Sequence, residues 1–110
     1  MVIYKNFSSL LSDVEGLDKF GTLYANRQKW LGDPFKVEFL LLVGDDELEE
    51  LDGNGNPILA TINNAKYFLD VEIFQNVIEL QAKCNPESGL DEYIFAINYY
   101  LENDDFYEGS

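Results

Sequence analysis

Hydrophobic positions near the start of the chain recur at helical spacing. Four of them follow the i, i+3, i+4, i+7 pattern of one apolar stripe: Phe7, Leu10, Leu11 and Val14. Asn6 precedes this stripe and Gly16 follows it, and these residue types are preferred at the N-cap and just past the C-terminus of a helix. The pattern therefore predicts a helix over about residues 7–15.

Two longer helices are predicted in the last third of the chain. From 71 to 84 the apolar residues cover more than half of the helix circumference, which is typical of a helix buried on two sides. Asn85 and Pro86 are expected to end this helix, and Ser88 is a suitable N-cap for another helix over about 90–103. One face of that last helix carries Leu90, Ile94, Ile97 and Leu101.

The clearest strand pattern begins with alternation and ends as an unbroken apolar run, FKVEFLLLV, at residues 35–43. Such a run indicates a central strand covered on both faces, and we expect the strand to occupy 36–43. The segment DGNGNP at 52–57 concentrates turn-forming residues and predicts a hairpin whose return strand is 58–62. Residues 47–51 fit either the partner strand or a short acidic helix.

Residues 21–34 give mixed signals, since 22–24 fit a short strand and 32–34 indicate a turn. No internal repeat or linker interrupts the chain. The patterns together predict an α+β fold, a single domain over residues 1–110 with about three helices packed on a small, mainly antiparallel sheet.

Acidic residues outnumber basic ones and are unevenly placed. The 21 Asp and Glu against seven Lys and Arg give a formal net charge of −14. Residues 1–36 are nearly balanced, whereas the remaining 74 residues hold 17 acids and two lysines. Such a surface repels phosphate backbones and anionic membranes, and no apolar run approaches the ~20 residues of a spanning helix. We therefore expect no binding to nucleic acid or to a membrane.

Residue types that support enzyme chemistry are scarce. The chain has no histidine, the commonest catalytic base and metal ligand. Its single cysteine, Cys84, lies at a predicted helix C-terminus, where the helix dipole disfavours a thiolate. An EF-hand would require Gly and Glu where this chain has Pro57 and Asn63. We therefore expect no catalytic residue, no metal site and no cofactor, and the absence of a signal-peptide pattern predicts a cytoplasmic protein.

An acidic window at residues 45–52 is the first candidate for binding a partner. It contains six carboxylates in eight residues: Asp45, Asp46, Glu47, Glu49, Glu50 and Asp52. This density exceeds what solubility requires and is suited to electrostatic docking. The alternative is a solvated face that only keeps the protein in solution.

A second candidate surface lies near the C-terminus, where aromatic residues are displayed among carboxylates. It comprises Phe95, Tyr99, Glu102, Asp104 and Asp105. Helical spacing places Phe95 and Tyr99 opposite the apolar face of the last helix. Rigid, amphipathic aromatic side chains among carboxylates have the composition of interface anchors. Secondary packing against the N-terminal segment is the alternative.

The C-terminal part of the chain resembles a family of small bacterial domains. The similarity covers residues 68–107 and lies in the run Phe68-Leu69-Asp70-Val71-Glu72 and in the pattern Ala-x-x-Tyr-Tyr-x-x-x-Asp-x-Phe, which begins at Ala96 and ends at Phe106. Members of this kind resemble immunity proteins of polymorphic toxin and contact-dependent growth inhibition systems.

The resemblance implies a non-catalytic protein that binds and silences a cognate toxin domain. It assigns Tyr100 and Phe106 to the scaffold and favours the acidic window 45–52 as the interface. Many such toxins are nucleases, whose cationic clefts an acidic protein can fill. Two alternatives remain: a nucleic-acid mimic that inhibits many basic proteins, and a small carboxylate- or metal-dependent hydrolase.

Overall fold

The computed structural model describes residues 2–44, 57–61 and 64–103. The chain divides after Val71 into two compact units. The first unit contains β1 (Val2–Tyr4), α1 (Phe7–Ser12), β2 (Thr22–Ala25), α2 (Arg27–Gly32), β3 (Phe39–Leu42), α3 (Ile58–Thr61) and β4 (Lys66–Asp70). The division falls at the start of α4 (Val71–Cys84), which α5 (Leu90–Asn103) follows.

Four strands of the first unit form one antiparallel sheet in the order β1-β3-β2-β4. β3 lies between β1 and β2, so that Leu41 is opposite Val2 on one side and Leu23 on the other. All four residues of β3 are buried. This burial confirms the prediction of a central strand covered on both faces.

β3 begins later than the sequence pattern predicts. Pro34–Lys36 form a 3₁₀ turn instead of strand. The Asp33 carboxylate accepts a hydrogen bond from the Phe35 backbone N–H at 3.2 Å, and proline is preorganised for the first position of a helical turn. The predicted strand over 36–43 is therefore shortened to Phe39–Leu42.

One face of the sheet is covered by four aromatic rings. Phe7 from α1 and Trp30 from α2 lie 6.2 and 5.9 Å from Phe39 between ring centroids. Phe68 from β4 lies 5.1 Å from Trp30, and all four side chains are at most 2% exposed. The β2–β4 register shifts beside Phe68, and Phe68 and Leu69 are both buried although they are consecutive. A bulge of this kind lets two neighbours face the core.

The opposite face of the sheet is covered by α3, which corrects a prediction. Residues 58–62 were expected to form the return strand of a hairpin, but Ile58–Thr61 is helical. The backbone N–H groups of Ala60 and Thr61 donate to the Pro57 carbonyl at 3.1 Å. Ala60 packs in a buried cluster with Leu40 of β3. The strand that pairs with β2 on the side away from β3 is β4, not residues 58–62. The predicted turn at 52–56 lies outside the described residues.

α1 confirms the first predicted helix with a shorter length. The Asn6 side chain accepts a hydrogen bond from the Ser9 N–H at 2.8 Å, as an N-cap does. The helix ends at Ser12, where the Asp13 N–H donates to the carbonyls of Leu10 and Leu11. A 3₁₀ turn at Val14–Gly16 replaces the predicted last turn.

Ser88 is predicted to be the N-cap of the last helix, but in the structure it stabilises the turn between α4 and α5. Its hydroxyl donates to the Asn85 carbonyl at 2.7 Å and accepts a hydrogen bond from Gln81 Nε2 at 2.9 Å. The N-terminus of α5 is instead held by Glu92, whose carboxylate accepts from the Gly89 N–H. This contact is one half of a capping box.

The fold class predicted from the sequence is confirmed: the protein is α+β with an antiparallel sheet. The three predicted helices correspond to α1, α4 and α5, and the bounds of α4 and α5 agree with the prediction. Within the described residues, none of these helices has the length and apolar character needed to cross a membrane.

Candidate partner-binding surface

α5 presents an aromatic side chain among carboxylates. Ile94 and Ile97 are buried, whereas Phe95 between them is 54% exposed. Tyr99 is half-buried and Glu102 is exposed. The helical spacing that placed Phe95 away from the core face is therefore reproduced in the structure.

Four residues of α5 form a stripe along one side of the helix. At ~100° per residue they fall within an arc of about 80°; we call them the α5 stripe: Asp91, Phe95, Tyr99 and Glu102. Asp91 lies in the first turn of α5, where a carboxylate is favoured by the helix dipole. Glu102 lies near the C-terminus, where the dipole disfavours it and where the last turn holds no basic residue. The helix dipole therefore makes a carboxylate at Glu102 mildly unfavourable for α5.

Among the described residues, those of the second unit are the more acidic. The described residues of the first unit carry six basic side chains (Lys5, Lys19, Arg27, Lys29, Lys36, Lys66) and six acidic ones (Asp13, Glu15, Asp18, Asp33, Glu38, Asp70). Those of the second unit carry one basic side chain, Lys83, and six acidic ones: Glu72, Glu79, Glu87, Asp91, Glu92 and Glu102. Lys83 already pairs with Glu79 at 3.5 Å. The α5 stripe therefore lies in a strongly negative unit.

Most of the carboxylates predicted to bind a partner lie outside the described residues. They are Asp45, Asp46, Glu47, Glu49, Glu50 and Asp52 of the acidic window and Asp104 and Asp105 near the C-terminus. The structure brings together three of the predicted residues, Phe95, Tyr99 and Glu102, on one helix. Asp91 is not among the residues predicted to bind a partner, although its spacing of four residues from Phe95 places it on the same side of the helix.

A pocket of about 190 Å³ opens in the first unit at the end of the sheet where β2 ends and β3 and β4 begin. Its polar lining includes Asn26, Lys29, Lys36, Glu38 and Asn64. The sequence pattern does not indicate this pocket, because its residues come from three separate connections and no local motif joins them.

Metal-ligating residues do not converge in the part of the chain that the structure describes. No group of three or more Cys, Asp or Glu side chains there has the arrangement of a metal site. Cys84 is exposed. Of the EF-hand-like segment 52–63, residues 52–56, 62 and 63 lie outside the described residues.

One family model matches nearly the whole chain. It is described as a domain of unknown function, DUF7716, and the match spans residues 4–108. It therefore includes residues of both units. No curated protein and no solved structure shows significant similarity to the chain.

Proposed function

The chain belongs to the DUF7716 family, and we propose that it is an immunity protein that binds and neutralises a cognate bacterial toxin domain. Its action is non-catalytic: it covers a basic surface of the toxin. We assign this action to the cytosol, where an incoming toxin would meet its target. The proposal is supported by the C-terminal resemblance and by the chemistry of the α5 stripe.

The single observation that carries the proposal is an exposed phenylalanine between carboxylates on a negative unit. Phe95 is 54% exposed, with Asp91 and Glu102 on the same side of α5. A carboxylate at the Glu102 position opposes the helix dipole, and such local conflicts are expected where function outweighs stability. The arrangement suits a surface that a partner covers.

Aromatic and acidic side chains contribute differently to such a surface. Complementary charge raises association rates by roughly 10 to 10³-fold and weakens with salt. Lasting affinity comes from a few desolvated side chains, among which aromatic residues are enriched. In this proposal the carboxylates of the second unit attract the partner, together with those of the window 45–52, and Phe95 anchors it.

A nuclease is the partner chemistry that fits this surface best. An enzyme that grips a phosphate backbone presents Lys and Arg side chains along its cleft. The carboxylates of an immunity protein pair with these cations and exclude the substrate. Asp91 and Glu102, with Phe95 between them, would place two negative groups and one apolar anchor against such a cleft.

The test begins with the gene beside that of this chain, which the proposal predicts to encode a secreted protein that ends in a toxin domain. The toxin is produced in cells with the wild-type chain, with Phe95→Ala or with Phe20→Ala. Phe20 is a matched control, because it is 81% exposed and belongs to the other unit. We expect wild type and Phe20→Ala to protect the cells, and Phe95→Ala to weaken the complex by about ten-fold or more.

Three outcomes would contradict this proposal in different ways. A toxin that kills equally in the presence of the wild-type chain would rule out immunity. Similar affinity for several unrelated basic proteins would favour the nucleic-acid mimic. Equal affinity of Phe95→Ala and wild type would move the interface away from the α5 stripe.

A further inference from the structure

The pocket at the end of the sheet combines an apolar floor with a polar rim. Val37, Leu40 and Ala65 line it and are at most 5% exposed. Lys29 and Lys36 line it as well, and both residues are exposed. Most ligand sites are mainly apolar with a few polar groups, whereas this lining is more polar than apolar, which suits a charged ligand.

The connection after β2 supplies two of the polar groups. The Asn26 side-chain oxygen accepts a hydrogen bond from the Lys29 backbone N–H at 3.0 Å. This bond holds the start of α2 and leaves the Nδ2 hydrogens as the donors that Asn26 offers to a ligand. The Lys29 ammonium group, which lies on the same turn, adds a positive charge.

The connection before β4 supplies another amide in a fixed backbone. Asn64 has φ of 56°, the left-handed conformation, and its N–H donates to the Thr61 carbonyl at 3.1 Å. The next N–H, of Ala65, donates to the Ala60 carbonyl at 2.9 Å. This wall of the pocket is therefore ordered by the backbone, and Asn64 adds a second side-chain amide to the rim.

The rim has more positive than negative charge. Lys29 and Lys36 face one acid, Glu38, in the lining. Lys36 Nζ lies 4.0 Å from the Asp33 carboxylate, and both side chains are largely exposed. Such a solvent-exposed pair is weak, so Lys36 can exchange this partner for a ligand. A positive rim is distinctive in a chain of net charge −14.

We propose that this pocket binds a compact organic anion, with one carboxylate or phosphate group on a small apolar body. The ammonium groups of Lys29 and Lys36 and the amides of Asn26 and Asn64 donate to the oxyanion. The apolar body lies on Val37, Leu40 and Ala65. The volume of about 190 Å³ is below that of sites for drug-sized ligands, which restricts the ligand to a small molecule.

The test is a titration of the full chain followed by amide NMR at constant ionic strength. Butyrate, acetate and inorganic phosphate are the probes. We expect saturable shifts of the Lys29, Asn64 and Ala65 amides, with affinities on the order of 1 mM. Tighter binding of butyrate than of acetate would show that the apolar floor of the pocket contacts the hydrocarbon part of the ligand. Tighter binding of phosphate than of either carboxylate would favour a phosphate ligand.

Four substitutions test the assignment of the rim. Lys29→Gln and Lys36→Gln should each weaken binding by about three- to five-fold, whereas Glu38→Gln should strengthen it by a similar factor. Asn64→Gly removes the amide without backbone strain, because glycine adopts positive φ readily, and should also weaken binding. Lys19→Gln is the control, with the same charge change beyond the other end of β2.

The proposal is overturned by either of two results. Shifts that stay linear in probe concentration would show no defined site. Equal effects of Lys19→Gln, Lys29→Gln and Lys36→Gln would show that only the net charge of the chain matters. Neither result bears on the α5 stripe, so the pocket and the proposed immunity function are tested separately.

Discussion

Phe68 and Phe95 show how the two units use the same side chain differently. Phe68 is fully buried in the first unit, within 5.3 Å of Phe39 and 5.1 Å of Trp30 between ring centroids. Phe95 is 54% exposed in the second unit, on a helix that carries carboxylates at both ends. Phe68 is thus part of an aromatic core, whereas Phe95 is displayed on a surface that carries carboxylates.

The largest expected effect is the difference in unfolding free energy between the variants that lack one or the other of these two rings. Phe68→Ala should lower the free energy of unfolding by about 3–5 kcal/mol, because it leaves a cavity among packed rings. Phe95→Ala should lower it by less than about 1 kcal/mol, since the ring is half in solvent. Urea denaturation of both variants measures the difference. Similar losses for both would show that Phe95 is a core residue and would end its role as an anchor.

A glycine beside the sheet tests how closely the first unit is packed. A Cβ atom at Gly21 would lie 2.7 Å from Leu41 Cδ1 and 2.9 Å from Val43 Cγ2. Gly21→Ala should therefore cost about 1–3 kcal/mol by overpacking. Gly32→Ala is the control, because nothing lies within 4 Å of its Cβ position, and it should be neutral or stabilising. A harmless Gly21→Ala, again measured by denaturation, would contradict the close approach of this loop to β3.

The smallest expected effect is confined to alkaline pH in the first unit. The Tyr4 hydroxyl donates to Asp13 Oδ2 at 2.8 Å. Burial, then this hydrogen bond and the negative charge of Asp13, raise the Tyr4 pKa to about 12. Because the folded pKa lies above the ordinary value of 10.0, the contribution of Tyr4 is complete below pH ~10 and is lost as pH rises towards ~12.

Tyr4→Phe isolates this contribution, because it removes the hydroxyl and leaves the rest of the chain unchanged. Above pH ~10 the free energy of unfolding should fall less steeply in the variant than in wild type. Urea denaturation at a series of pH values between neutrality and the alkaline range compares the two slopes. Parallel slopes would show that Tyr4 has no raised pKa in the folded chain.

Long periodic segments are the part of the fold that the sequence pattern predicts best. α4 and α5 have their predicted bounds, because fourteen residues give several turns of hydrophobic period. The short α2 was not predicted, since its six residues bury one large side chain, Trp30. β1, with three residues and exposed Val2 and Ile3, has too little pattern to indicate a strand.

β4 and α3 were missed for reasons of tertiary structure. The bulge in β4 places the consecutive residues Phe68 and Leu69 in the core, which breaks the alternation expected of a strand. The run that begins at Ile58 has strand-like composition, but it forms a helix whose Ala60 packs in a buried cluster with Leu40 and Leu42 of the sheet. Neither the bulge nor this packing contact is visible in the local sequence pattern.

The two candidate sites also differ in how far the sequence alone could predict them. The α5 stripe follows from the period of a single helix, so the sequence alone placed Phe95 and Tyr99 opposite the core face. The pocket is formed by Asn26, Lys36 and Asn64 from three connections. Their proximity depends on the β2–β3 and β2–β4 pairings, which no spacing along the chain reveals.

The most direct test of the docking surface is the rate of association with the neighbouring toxin domain over a range of salt. The double variant Asp91→Asn/Glu102→Gln removes two charges from the α5 stripe, and Glu15→Gln/Glu38→Gln removes two from the first unit. We expect only the α5 variant to associate about three- to ten-fold more slowly at low salt and to depend less on salt. Identical rates for the two variants at every salt concentration would contradict the claim that this stripe meets the partner.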